Sequence, residues 1–187
     1  MADEPMPTSK ARALDAYLVA SAQAGSRTAL DRLAQRWHPK LLAHARRMTG
    51  DVELAEEAVQ LGWDAILRSL PKLQEPLAFP AWAYRITSRS CAGEIGKRTR
   101  RRKLAAAFAK EPRAEFAEPV EPADHDRLRA AIRALDPPHR AAIALFHFEE
   151  LSVAEVAVAL DIPAGTVKTR LMNARKKLRQ ILEGETP

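Results

Sequence analysis

A single cysteine, Cys91, stands in 187 residues, so no internal disulfide is available. The five histidines (His38, His44, His125, His139, His147) are scattered, without cysteine partners at metal-ligand spacing. Both absences fit a reducing, cytoplasmic setting, and no metal or cofactor is expected. Only seven glycines occur, aromatic residues make up 5% of the chain, and alternating β-branched runs are scarce, which argues against a sheet. No apolar run approaches a membrane span, so stable membrane insertion is not expected. Residues 1–10 carry Asp3, Glu4 and two prolines where a secretory signal needs a basic stretch and then an apolar one. Nucleophile motifs, metal clusters and Gly-rich phosphate loops are also missing, which makes an enzyme the least favoured reading.

What the chain does have is positive charge and helical periodicity. Lys and Arg number 30 against 24 Asp and Glu, a net charge of +6. Such a balance suits a polyanionic partner, either nucleic acid or an anionic membrane surface, and equally an ordinary solvated surface. Composition does not choose between them.

Apolar residues recurring at threes and fours predict an all-α protein of two small helical domains joined by a flexible linker. Residues 1–13 are expected to be disordered. From Leu14, a first unit runs through Leu33, Trp37, Leu41 and Met48 to Thr49-Gly50-Asp51, where Gly50 can leave one helix and Asp51 can cap the next. Leu54, Ala58, Leu61 and Ala65 then form an apolar stripe, opposite Glu53, Glu57, Gln60 and Asp64, until Pro71 stops the helix. A further helix with Phe79, Trp82 and Ile86 ends in six basic residues among the seven from Lys97 to Lys103. The unit closes near residue 104. Residues 105–126 mix Pro112, Pro119 and Pro122 with acidic residues and read as a linker. A second helical unit occupies 127–183.

Within the second unit, Ser152-Val153-Ala154-Glu155 is a capping box: the serine hydroxyl can accept from the third helical N–H while Glu155 reaches back to the cap. Asp161-Ile162-Pro163-Ala164 makes a turn, and Pro163 can start another helix where its missing N–H costs least. This outlines a helix-turn-helix. In its second helix Val167, Leu171, Ala174, Leu178 and Ile181 repeat on one face. The remaining faces, from Ala164 to Gln180, hold Lys168, Arg170, Arg175, Lys176, Lys177 and Arg179 and no carboxylate. A helix built only for solubility usually mixes signs, whereas a face of one sign suits a phosphate backbone. The outward positions near the start of the helix, Lys168, Thr169 and Met172, are then base readers, with Thr166, Arg170, Arg175 and Lys176 beside and behind them. A basic amphipathic helix can also be a solvated face or a membrane binder.

The stretch from Leu151 to Arg175, LSVAEVAVALDIPAGTVKTRLMNAR, closely resembles the minus-35 helix-turn-helix of the extracytoplasmic-function (ECF) sigma factors of the sigma-70 family. Leu135-Asp136-Pro137-Pro138-His139-Arg140 looks like its lead-in. Met48-Thr49-Gly50-Asp51, Ala55 to Gln60 and Phe79 to Ile86 resemble the family's other domain, which docks on polymerase and reads the minus-10 element. The resemblance spans about residues 14–182. It implies a promoter-recognition subunit that binds core RNA polymerase and promoter DNA under an anti-sigma factor. By position it assigns polymerase docking to Glu57, Gln60 and Asp64. Minus-10 opening falls to the helix from Trp82 to Lys103, with Arg85, Arg89, Lys97 and Arg98 as a basic track for the displaced strand. Trp82, Phe79 and Ile86 are expected to serve the core before any base stacking.

The chain departs from the family pattern at several points. Leu61-Gly62 replace a Glu-Thr pair, Arg89 stands where Asn is common, Gly93 where Asp is common, and Asp161 replaces the turn glycine. Aspartate tolerates left-handed backbone better than most residues. Two other functions compete. A sigma mimic that titrates an anti-sigma factor predicts a degenerate recognition helix and an attached receiver domain, and Gly165 to Arg175 is not degenerate. A dimeric helix-turn-helix repressor gives no account of the N-terminal likeness.

Overall fold

The computed structural model describes residues 9–108 and 124–184. Every regular element among them is helical: α1 (Ser9–Gln23), α2 (Arg27–Thr49), α3 (Val52–Ser69), α4 (Phe79–Phe108), α5 (Asp124–Ala134), α6 (Pro137–Ile143), α7 (Val153–Leu160) and α8 (Ala164–Glu183). Short 3-10 turns at Leu70–Lys72 and Pro76–Ala78 separate α3 from α4, and one π turn at Ala144–Phe148 extends α6. The expected all-α class holds.

Local chemistry sets the helix ends. Gly50, at φ 68°, lets α2 stop and returns its N–H to Arg46, and Asp51 accepts from the Leu54 N–H to start α3. Both halves of the Ser152/Glu155 capping box are formed. Pro163 is the N-cap of α8, one residue ahead of its expected place as the first helical residue.

Three boundaries differ from expectation. Helix α1 begins at Ser9, inside the stretch expected to be disordered, because it packs on α2 and because Arg12 finds a carboxylate partner in Glu155. Helix α4 runs on to Phe108, past the expected edge of the first unit, and α5 begins at Asp124. The central part of the expected linker, 109–123, lies outside the described residues.

The first unit is built on Trp37, which meets Phe79 edge-on at 5.2 Å and Tyr84 at 5.6 Å, surrounded by Leu33, Leu41, Val59 and Ile66. In the second unit Leu145, Leu151, Val156, Val167, Leu171 and Ala174 are buried. The two sets form one continuous apolar cluster, joined where α7 lies on α4 and α6 on α2. The apolar stripe of α3 is rotated from its predicted line. Leu54, Ala55, Ala58, Val59, Gly62 and Ile66 face inward, while Leu61 is exposed. Gly62 faces α4 in place of Leu61, and a Cβ there would sit 3.4 Å from Thr87 Oγ1, at ordinary contact distance. On α8 burial fades toward the C-terminus, and Ile181, expected on the core face, is exposed.

His44 is fully buried between α2 and α4, with Nε2 3.0 Å from Ser88 Oγ. Burial drives its pKa down to about 3, and Arg47 nearby adds to the effect. The unfolded chain therefore takes up a proton near pH 6.5 that the folded chain refuses, so stability rises with pH across this window and falls as pH drops below it. Urea unfolding at pH 7 and pH 5 should differ by about 2 kcal/mol from this group, and His44→Gln should remove that share. Gly62→Ala should raise stability by about 0.5–1 kcal/mol in the same assay, because the added methyl meets only ordinary contacts while helix propensity improves.

Candidate nucleic-acid interface

The helix-turn-helix is assembled by α7, α8 and the turn between them. Val156 and Ala159 of α7 pack with Val167, Leu171 and Ala174 of α8, and Asp161 makes the turn in left-handed backbone, φ 57° and ψ 45°. With that face of α8 committed to the core, Lys168, Thr169, Met172, Arg175 and Lys176 are exposed, and Thr166 and Arg170 flank them half-buried. Met172 is 63% exposed, an unusual place for a large apolar side chain and one that suits contact with a base methyl. The Thr169 hydroxyl donates to the Gly165 carbonyl at 3.1 Å, so its outward side offers a methyl and an oxygen acceptor.

The basic residues divide into two groups. Lys168, Arg170 and Lys176 form no ion pair among the described residues. Lys177, by contrast, reaches Asp136 at 2.7 Å and ties α8 to the N-terminus of α6; with His139 it holds that carboxyl down to about 2. Arg175 leans over Phe146, 5.8 Å from the ring centroid, with its guanidinium 3.5 Å from His147. The lead-in noted in the sequence thus braces the back of the recognition helix.

On the first unit, the residues predicted for the minus-10 track share α4, but the structure occupies them. Arg85 and Arg89, one turn apart, both reach the Asp161 carboxylate, at 2.6 and 2.8 Å. Lys97 pairs with Glu94 at 2.6 Å, and Arg98 with the Asp51 cap. Trp82 is half-buried against the core beside Phe79, the expected structural role. The residues predicted for polymerase docking are exposed on α3. Gln60 and Asp64 line a groove of about 430 Å³ together with His38, Leu42, Glu56 and Trp63, whereas Glu57 is not among its lining residues.

Sequence reasoning missed the contacts between the units. Glu149, only 7% exposed, accepts from Arg47 at 2.6 Å and from the Tyr84 hydroxyl. This arrangement, with burial as the larger cause, pushes the phenol pKa well above its usual value. Glu155 serves twice, completing the capping box and accepting a bidentate pair from Arg12, one arm at 2.9 Å. Burial alone would raise its pKa, but Arg12 and Ser152 hold it below the ordinary range. Between the units, Arg46, Arg47, Arg129, Arg133 and Arg140 face a cavity of about 640 Å³. No local sequence signal marks any of these as partners, since each pair joins residues distant along the chain.

Two family models cover these same elements. Residues 33–101 match Sigma-70 region 2, and residues 125–178 match Sigma-70, region 4. The ECF RNA polymerase sigma factor SigM of Mycobacterium tuberculosis is 30% identical over 168 residues, spanning 90% of this chain and 84% of that protein. The chain belongs to the ECF RNA polymerase sigma factors. This sigma factor is also 28% identical to the RNA polymerase sigma-H factor of Pseudomonas aeruginosa, over 90% of its own length and 94% of the relative's. Its fold matches the sigma factor RpoE of Bartonella quintana, solved with the anti-sigma factor NepR, at a TM-score of 0.68 and 21% identity, over 84% of this chain and 98% of that one. CnrH, solved with the cytosolic domain of CnrY, matches at 0.66 and 24% identity, over 92% and 99%. Among the described residues no helix is long and apolar enough to cross a membrane, and no group of three or more His, Cys, Asp or Glu side chains could hold a metal ion.

Proposed function

We propose that this sigma factor binds core RNA polymerase in the cytoplasm and directs initiation at promoters whose minus-35 element is read by α8 and whose minus-10 element is opened by α4. The observation that carries the reading is the exposed, carboxylate-free face of α8 on an intact helix-turn-helix. Lys168, Thr169 and Met172 reach base edges, while Thr166, Arg170, Arg175 and Lys176 hold the phosphates beside them. Arg85, Arg89, Lys97 and Arg98 guide the displaced strand, with Trp82 backing them from the core. Glu57, Gln60 and Asp64 dock on the polymerase, the last two from the groove between α2 and α3. The polymerase performs all the chemistry. An anti-sigma factor controls the protein; the structural match to the sigma factor RpoE, solved with the anti-sigma factor NepR, supports this part of the reading.

Run-off transcription with purified core polymerase and a promoter library tests the proposal, and specific transcripts are the expected result. Their absence from every template, with no inhibitor present, would refute it. Lys168→Ala and Thr169→Val should each change the preferred minus-35 sequence, by about 1–3 kcal/mol at the affected base pair. Arg175→Ala should weaken binding uniformly across sequences and reduce the salt slope by about one. An equal loss on all promoters from Lys168→Ala would contradict its role as a base reader.

A further inference from the structure

A contact between the two units sits at the turn of the helix-turn-helix. Arg89 lies 2.8 Å from Asp161, and the other oxygen of the same carboxylate takes Arg85 at 2.6 Å. One carboxylate held by two guanidiniums a turn apart on α4 has the charge and geometry of a backbone phosphate seated on that helix. We propose that Asp161 is an internal stand-in for a promoter phosphate: it occupies Arg85 and Arg89 and clasps the helix-turn-helix unit onto α4, so that the free sigma factor is closed and its minus-10 arginines are masked.

The buried Glu149 set and the shared apolar cluster hold the same interface, so Asp161 adds to the closure rather than carrying it alone, yet reading two promoter elements at once requires the units to part. Elements named for positions roughly 25 base pairs apart lie on the order of 80 Å apart along B-form DNA, and units in direct contact through α7 and α4 cannot read both. The recognition face of α8 stays exposed throughout, so closure masks the minus-10 side alone. Asp161 is about half exposed, and its pairs are therefore worth only a several-fold bias toward the closed form, within reach of a binding partner.

The proposal rests on reading Arg85 and Arg89 as DNA contacts, and the test separates the two ideas. The full-length chain, as Asp161→Gly (which suits the left-handed backbone) and Asp161→Asn, is titrated against a random-sequence 12-nucleotide single-stranded DNA. Both variants should bind about fivefold tighter than the parent, since apparent affinity scales with the open fraction. Adding Arg85→Ala and Arg89→Ala to Asp161→Gly should abolish the gain. Glu150→Gln, which removes a carboxylate elsewhere on the same unit, should not reproduce it. In parallel, spin labels at Leu67→Cys and Leu182→Cys in a Cys91→Ala background should report a longer distance population in Asp161→Gly, and in the parent as salt rises. An unmoved distance, or a gain in affinity matched by Glu150→Gln, overturns the clasp. A longer distance with no gain in affinity refutes the phosphate-mimic role. Failure of the DNA-contact reading shows separately, as an opened Asp161→Gly protein whose affinity is unchanged by the two arginine substitutions.

Discussion

The arrangement of the two units depends on a desolvated carboxylate. Glu149 leaves water almost completely to meet Arg47 of α2 and Tyr84 of α4, and truncating one member of such a buried set strands the others at a cost of about 3–5 kcal/mol. Tyr84 is also at the centre of the first unit, edge-on to both Trp37 and His44. The contact that joins the units is therefore anchored in the same aromatic group that holds one of them together.

Around that anchor, the surfaces divide according to whether their charge is already spent. Helix α8 keeps Lys168, Arg170 and Lys176 without ion-pair partners among the described residues, and its basic side is open as folded. The α4 track is occupied by carboxylates at Asp161, Glu94 and Asp51. One basic surface is thus presented and the other withheld. For Arg85 and Arg89 the difference arises from a contact between the units, whereas Glu94 and Asp51 hold Lys97 and Arg98 from within the first unit.

The main departures from expectation have physical causes visible at single residues. Leu61 was assigned to an inner stripe by its spacing from Leu54 and Ala58. A helix face is a matter of tens of degrees, however, and the inward line through Ala55, Ala58, Val59, Gly62 and Ile66 leaves Leu61 just outside it, so that the glycine, rather than the leucine, meets α4. Helix α1 begins five residues before Leu14, where apolar periodicity starts, because charge rather than apolar spacing stabilises its first turns: Arg12 reaches Glu155, 143 residues away. Glu149 carries no signal at all, since the Glu149-Glu150 pair after an apolar run reads as solvated until its neighbours are known.

Local chemistry was sufficient for whatever depends on neighbours within a turn or two: the all-α class, the Gly50/Asp51 junction, the capping box, the helix-turn-helix and the one-signed face of α8. These follow from backbone hydrogen bonding and side-chain periodicity, both written within a few residues. Only the tertiary structure decided which charges remain available to a partner. An ion pair such as that of Arg89 with Asp161 spans 72 residues, and whether a guanidinium faces DNA or a carboxylate of its own chain depends on how two helical units pack.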